Sequence, residues 1–303
     1  MRIVFFGTPE IAYGCLEELL DKGYNVVAAV TGTDKPQGRG YKVDISPVKR
    51  LALERGVEVY QPDSLRKPEV WDKLKEYNAD IFITCAYGKI FPAQVLSIPP
   101  MGCVNVHASL LPAYRGASPI YRAIMNGDKV GGVTIMYMDE GMDTGDIALT
   151  KEMEIPRDMD FGSYYNAITS LGRAALTEYL EKAKAGEVVR RKQDHSKATY
   201  APKIEKEETV LDFNDTAENI YNKIRGLSPT PCAYTTLGGK RCKIYKALLG
   251  ESNCGKQPGD IIKADKTGIE IACNDKSVII TDLQPEGKNK MTAAAFLAGN
   301  KLV

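Results

Sequence analysis

The chain has only two histidines and one tryptophan among 303 residues, and it contains no CxxC pair. So few histidines leave little room for a His-rich metal site, and no metal is expected. The seven cysteines (Cys15, Cys85, Cys103, Cys232, Cys242, Cys254 and Cys273) are odd in number and lack the spacing of a zinc knuckle or disulfide framework. Cys85 and Cys103 lie in apolar runs and read as small buried hydrophobes, which suits an intracellular, cytoplasmic protein. No apolar run approaches the roughly eighteen residues of a membrane span. The opening Met1-Arg2-Ile3-Val4-Phe5-Phe6-Gly7 is too short for a signal peptide and reads as a first strand. Neither sign of charge dominates, since 40 Lys plus Arg face 39 Asp plus Glu for a net of +1. That balance argues against nucleic acid held by a uniformly basic surface, though not against a local basic patch. Nucleotide loops are missing too. Gly7-Thr8-Pro9-Glu10 departs from GxGxxG and no GxxxxGK(S/T) loop occurs, so NAD and P-loop nucleotide binding have no support.

What is present is an alternation of short apolar runs with helical spacing. Strands are expected at Arg2–Phe6, Asn25–Thr31, Val57–Tyr60, Asp80–Thr84, Gly102–Val106 and Gly131–Met138. Between them, helices are expected at Glu10–Lys22, Pro47–Arg55 (started near Ser46), Pro68–Tyr77 and Ser118–Asn126, with a long one over 161–185. Such a repeat predicts an α/β fold, a Rossmann-like, mostly parallel sheet covered on both faces. Composition shifts at Gly186. Residues 190–206 carry a net charge of +4, include Pro202 and show little periodicity, so they read as an extended basic linker. Beyond them a helix near Thr216–Arg225 precedes five short strand-like runs, which suggests a small OB-like β-barrel. The expected division is a domain over 1–189, a linker over 190–206 and a second domain over 207–303.

The balanced total hides an uneven distribution. Residues 1–189 carry a net of −4, and residues 207–303 a net of +1. A second basic cluster, Lys35, Arg39, Lys42, Lys49 and Arg50, faces only Asp34 and Asp44 in a stretch that also holds Pro36, Gly38 and Gly40. It reads either as a solvated, exposed loop or as a loop that grips phosphate.

The strongest chemical candidate is Asn105 with His107. Two apart in a strand, they share a face at its end, where the ligand crevice of an open parallel sheet lies. An amide beside an imidazole can hold a developing oxyanion while a proton moves. A purely structural histidine is the alternative. Asp143, in the acidic turn Asp139-Glu140-Gly141-Met142-Asp143-Thr144-Gly145-Asp146, could come over the same edge and orient the ring. A solvated turn or a calcium loop are its alternatives, although the EF-hand pattern is absent. His195 reads as a surface or interdomain residue, and Trp71 as packing against the sheet.

Taken together these residues form a recognisable set. Asn105-Val-His107-Ala-Ser109-Leu110-Leu111-Pro112-Ala-Tyr-Arg115-Gly, followed by Gly141-Met-Asp143-Thr-Gly-Asp146, resembles the signature of the 10-formyltetrahydrofolate-dependent formyltransferase family. Asp34-Lys35-Pro-Gln-Gly-Arg39-Gly with Ser46-Pro-Val-Lys49 resembles the inserted loop of that family's tRNA-acting branch. Ala198-Thr-Tyr-Ala-Pro-Lys-Ile204 and Leu283-Gln-Pro-Glu-Gly-Lys288 extend the likeness over nearly the whole chain. The resemblance implies formyl transfer from 10-formyltetrahydrofolate to the α-amino group of initiator methionyl-tRNA, for translation initiation, by a monomer. It implies Asn105, His107 and Asp143 as catalytic residues, and Tyr87, Gly88, Ser109, Leu110, Leu111 and Pro112 as the wall for the folate cosubstrate. Lys35, Arg39 and Lys42 are the implied tRNA contacts. Gly32-Thr33 before the loop and Cys232 after Pro231 depart from the family's usual residues. Formyl transfer to glycinamide ribonucleotide or an amino sugar would use the same trio without a large tRNA surface. Non-enzymatic tRNA binding would need no trio at all.

Overall fold

The computed structural model describes residues 1–37 and 42–302. Its elements follow in chain order as β1 (Arg2–Gly7), α1 (Glu10–Asp21), β2 (Asn25–Val30), β3 (Lys35–Gln37), β4 (Lys42–Asp44), α2 (Pro47–Glu54) and β5 (Glu58–Tyr60). Next come α3 (Pro68–Glu76), β6 (Ile81–Cys85), α4 (Ala93–Leu96), β7 (Cys103–His107), α5 (Pro119–Met125), β8 (Val130–Tyr137), β9 (Ile147–Glu154) and α6 (Phe161–Ala185). Seven strands form one sheet in the order β5-β2-β1-β6-β7-β8-β9. The β5–β2, β2–β1, β1–β6 and β6–β7 pairs are parallel, and β7–β8 is antiparallel. The mostly parallel sheet expected from the strand–helix repeat is therefore present.

The apolar run Ile3-Val4-Phe5-Phe6 is fully buried, as a central strand covered on both faces requires. On one face Val4, Phe6, Ala28, Val30 and Phe82 pack with Val70 and Leu74 of α3 and with Phe91 and Val95. Trp71 packs against this cluster, and its indole N–H donates to the Leu65 carbonyl at 2.7 Å. Small residues bring α1 and α6 together: a Cβ on Gly14 would meet Thr169, and one on Gly172 would meet Val106 and Cys15. Arg173 of α6 adds ion pairs to Glu17 and Glu18 of α1, each at 3.0 Å. Helix α2 starts as its sequence predicts, with Pro47 in the first turn and the Ser46 hydroxyl accepting from the Lys49 N–H at 3.1 Å.

The remaining elements are α7 (Ala217–Leu227), β10 (Ala233–Leu237), β11 (Lys240–Gly250), β12 (Ile261–Asp265), β13 (Gly268–Ala272), β14 (Ser277–Pro285), β15 (Met291–Thr292) and α8 (Ala293–Leu297). The strands make an antiparallel sheet in the order β10-β11-β14-β13-β12, with β15 on β14. Ile220, Ile224 and Leu227 of α7 fill its core with Ile244, Ile269, Val278 and Leu283. Among the described residues no ladder joins β10 to β12. Cys232 sits at φ 75°, in the left-handed region where glycine is at ease, and its side chain is fully buried.

Chain contacts divide the protein into one compact unit of residues 1–117, 132–153 and 165–201, and a second of 118–131, 154–164 and 202–303. The segment taken as a linker is thus docked on the first unit through residue 201: Arg191 pairs with Ile147 and Tyr200 with Arg115. After Asp34 the described residues include one pairing. Lys35–Gln37 and Lys42–Asp44 pair as a short antiparallel ribbon, because backbone pairing can proceed whatever the side-chain charge. No helix among the described residues is long and apolar enough to cross a membrane.

Close backbone approach makes one glycine of β8 decisive. A Cβ on Gly132 would lie 2.1 Å from the Lys151 carbonyl oxygen and 2.5 Å from Leu110 Cδ2. Gly132→Ala should destabilise the fold by roughly 1–3 kcal/mol, as overpacking does. Urea unfolding checks this, and an unchanged midpoint would show that the strand can shift freely.

Candidate active site

The sheet order reverses at β1, whose chain neighbours β2 and β5 lie on one side while β6 and β7 lie on the other. Ligand crevices of open α/β sheets form at the carboxyl ends of strands beside such a reversal. Thr84 and Cys85 close β6 there, and Asn105 and His107 close β7. Parallel pairing sets Thr84 directly beside Asn105. The Thr84 hydroxyl donates to Asn105 Oδ1 at 2.8 Å, which commits the amide oxygen and leaves the Nδ2 hydrogens for another acceptor.

His107 is buried at 5% exposure. Its Nε2 lies 3.0 Å from the Tyr114 carbonyl oxygen, so this nitrogen carries a proton and donates it. Its Nδ1 faces Asp143 Oδ1 at 3.6 Å. Asp143 reaches this place from the β8–β9 turn with φ 55°, and its Oδ2 accepts the Gly116 N–H at 2.8 Å. Ala86, Tyr114 and Asp143 are three of the six described non-glycine residues with positive φ, and all three lie in the loops at this edge. Each such backbone costs about 1–3 kcal/mol, and strain of this kind gathers at functional sites.

The expected folate wall has two kinds of members. Tyr87 is buried, and its ring packs edge-on against Phe6 and Phe91 at 5.5 and 6.1 Å. Its hydroxyl is a buried polar atom with no hydrogen-bond partner among the described residues. Burial pushes the phenol well above its ordinary pKa, so the hydroxyl keeps its proton and can donate. Gly88 follows at φ 77°. The Ser109 hydroxyl donates to the Ala113 carbonyl at 2.6 Å, and Leu111 is buried with Met136 and Ile147. Leu110 and Pro112 are half-buried. Thr134, opposite His107 on β8, ties this loop down by donating to the Ser109 carbonyl at 2.7 Å and accepting the Leu111 N–H at 3.1 Å.

Lys35 and Lys42 lie on the β3–β4 ribbon, and Arg39 lies outside the described residues. At the ribbon's base Asp34 pairs with Lys49 and accepts from Gln61 Nε2 at 2.9 Å, and these two partners hold its carboxyl below the usual range. Among the described residues no group of three His, Cys, Asp or Glu side chains is placed to hold a metal ion.

Sequence reasoning missed two neighbours of these side chains, the Thr84 hydroxyl and the Tyr114 carbonyl. Thr84 gave no signal in an apolar run, and a backbone carbonyl leaves none.

Comparison with known proteins gives the family of the chain. The Formyl transferase family model matches residues 1–180, and the Formyl transferase, C-terminal domain model matches residues 203–301. The methionyl-tRNA formyltransferase of Kosmotoga olearia is 47% identical over 293 residues, covering 96% of this chain and 94% of the relative. That of Trichlorobacter lovleyi is 46% identical over 301 residues, covering 99% and 95%. Among solved structures, an N-formyltransferase from Helicobacter canadensis in complex with folinic acid and dTDP-3-aminofucose superposes with a TM-score of 0.67 at 18% identity, over 96% of this chain and 100% of that one. HypX from Aquifex aeolicus in complex with tetrahydrofolic acid does so with a TM-score of 0.65 at 20% identity, over 98% of this chain and 47% of that one. The structural likenesses speak for the fold, and the full-length relatives narrow it: the chain belongs to the methionyl-tRNA formyltransferase family.

Proposed function

We propose that the protein transfers the formyl group of 10-formyltetrahydrofolate to the α-amino group of initiator methionyl-tRNA, releasing tetrahydrofolate. One observation carries the choice of acceptor: the 47% identity to a methionyl-tRNA formyltransferase runs through both units of the chain rather than the first alone. Fold neighbours that act on sugars share only 18–19% of residues.

The chemistry is assigned from the polar atoms at the sheet edge. The neutral amine attacks the formyl carbon, forming a carbon–nitrogen bond and pushing electrons onto the formyl oxygen. Asn105 Nδ2 donates to that oxyanion, its amide held in orientation by Thr84. As the tetrahedral species collapses, the bond to N10 breaks, so the amine must lose one proton and N10 must gain one. His107 Nε2 is committed to a carbonyl, which leaves the edge between Nδ1 and Asp143 Oδ1 to relay that proton. Asp143 itself is oriented by the Gly116 N–H. The unpartnered Tyr87 hydroxyl supports a polar ligand seated beside it, and the folate's pterin end supplies suitable acceptors. Lys35, Arg39 and Lys42 are read as the contacts to the acceptor end of the tRNA, and the second unit as an OB-like platform for its body.

Four outcomes test the reading. Asn105→Ala and His107→Ala should each lower kcat by roughly 10²–10⁴ while the fold persists, the range for positioned oxyanion donors and proton-transfer groups. Near-normal turnover of His107→Ala sinks the mechanism. Thr84→Val should cost about tenfold or more in kcat by letting the Asn105 amide turn, with KM for both substrates held; a normal rate would show that Asn105 needs no orienting partner. Arg39→Ala should raise KM for methionyl-tRNA and flatten its salt dependence while leaving the folate KM alone. Side-by-side assays with methionyl-tRNA, glycinamide ribonucleotide and an amino sugar decide the acceptor, and preference for either small molecule overturns the tRNA assignment.

A further inference from the structure

Asp143 is not held by its own turn alone. Gln193, nearly 94% shielded at 6% exposure, donates from Nε2 to the Asp143 carbonyl at 2.9 Å and to the Gly145 carbonyl at 2.7 Å. Its Oε1 accepts from Arg115 Nε at 3.2 Å and Nη2 at 2.7 Å. Both donor hydrogens and both acceptor lone pairs of this amide are therefore used, and a saturated buried amide has one orientation. Arg115 is buried at 2% exposure, and its Nη2 also donates to His195 Nδ1 at 3.0 Å, which makes His195 the acceptor there. The backbone reinforces the link. Arg115 N–H donates to the Thr199 carbonyl at 2.9 Å, the Ala201 N–H to the Arg115 carbonyl at 2.7 Å, and the Tyr114 N–H to the Thr199 hydroxyl at 2.9 Å. All of these groups belong to the first unit.

The bonds fall on the two carbonyls that flank Thr144, so they clamp the turn immediately after the left-handed Asp143. The same Arg115 lies between Tyr114, whose carbonyl accepts the hydrogen bond from His107 Nε2–H, and Gly116, whose N–H donates to the Asp143 carboxylate. A side chain that locks both partners of the proton relay does more than fill a space.

We infer that Gln193 and Arg115 are positioning residues for formyl transfer: through the turn at Asp143–Gly145 and the loop at Tyr114–Gly116 they set the Asp143 carboxylate against His107. The inference rests on the catalytic reading of Asp143 given above. It places the connecting segment, by way of Gln193, in the support of the active site.

Gln193→Glu is the discriminating variant. A carboxylate still accepts from Arg115, so the buried guanidinium keeps a partner and the fold should hold. It cannot donate, so both carbonyls of the Asp143 turn are released. Turnover of formyl transfer should fall roughly 10–100-fold, as for small displacements of catalytic groups, with KM for both substrates within about twofold. Gln193→Met, uncharged and close in volume, should repeat the loss and covers the case in which the extra charge disturbs packing. Because Gln193 acts through Asp143, adding Gln193→Glu to Asp143→Ala should cost nothing further, whereas a merely structural role gives losses that multiply. Wild-type kcat in both Gln193 variants with an unchanged urea midpoint, or multiplying losses in the double variant, overturns the inference. An Asp143→Ala enzyme with full turnover removes the catalytic assignment of Asp143 and the positioning role with it. Failure of the unsubstituted protein to formylate methionyl-tRNA instead overturns the proposed function itself.

Discussion

The Nε2 atom of His107 lies 3.0 Å from the Tyr114 backbone oxygen, and a carbonyl has no proton to give. The ring must therefore carry hydrogen on Nε2, and its chemistry is left to Nδ1. That one constraint orders the rest of the site. Nδ1 points at Asp143, so the useful edge of the imidazole is decided by a backbone atom on the opposite side of the ring. The Tyr114 carbonyl is in turn held by a left-handed residue, φ 60°, whose N–H is tied to Thr199. A group 85 residues away in the chain thus helps to decide which nitrogen of the histidine can exchange a proton.

The antiparallel entry of β8 beside β7 serves the same end. In a sheet that stayed parallel, the loop after His107 would find only strand ends beside it. Here Thr134 stands opposite His107, and its hydroxyl bonds to both Ser109 and Leu111 of the following loop. Neighbouring polar groups are satisfied by the scaffold, and a satisfied scaffold resists reorientation. Among the described residues, the polar atoms this scaffold leaves uncommitted include Asn105 Nδ2 and the Tyr87 hydroxyl, beside the His107 Nδ1–Asp143 Oδ1 edge. This is the arrangement electrostatic catalysis needs, because donors fixed beforehand need no reorganisation as charge develops.

Much of this was legible in the sequence. Ile3-Val4-Phe5-Phe6 reads as a doubly covered strand because nothing polar interrupts it, and Ser46-Pro47 reads as a helix start because both residues suit the orphan donors of a first turn. Asn105 and His107 fall on one face by the period of a strand. What could not be read is long-range. Nothing local brings Asp143 to His107; a positive φ and the Gly116 N–H do so. The pairing of Lys35–Gln37 with Lys42–Asp44 was hidden because the charges of this stretch do not alternate with apolar residues, although pairing is a backbone property. Gln193 was hidden for a similar reason. Basic residues on either side made the segment read as solvated, and one buried amide leaves no periodicity.

Chain order and compactness part ways at the same place. The chain leaves the first unit after residues 117, 153 and 201, and the first and last of these exits, two of the three, are joined by the Arg115–Ala201 hydrogen bond and the Arg115–Tyr200 bridge. Gly116, at φ 118°, admits this contact: a Cβ there would sit 2.9 Å from the Ala201 carbonyl oxygen. The residues that complete the first unit, up to 201, lie beyond the composition shift at Gly186 and within the segment 190–206 that reads as a linker. Loops beside a junction are ordinarily free to drift, and here drift would move Tyr114 and Gly116, the backbone partners of His107 and Asp143. Binding the two exits to each other removes that freedom. Precision at the sheet edge therefore depends on a segment whose composition resembles a tether.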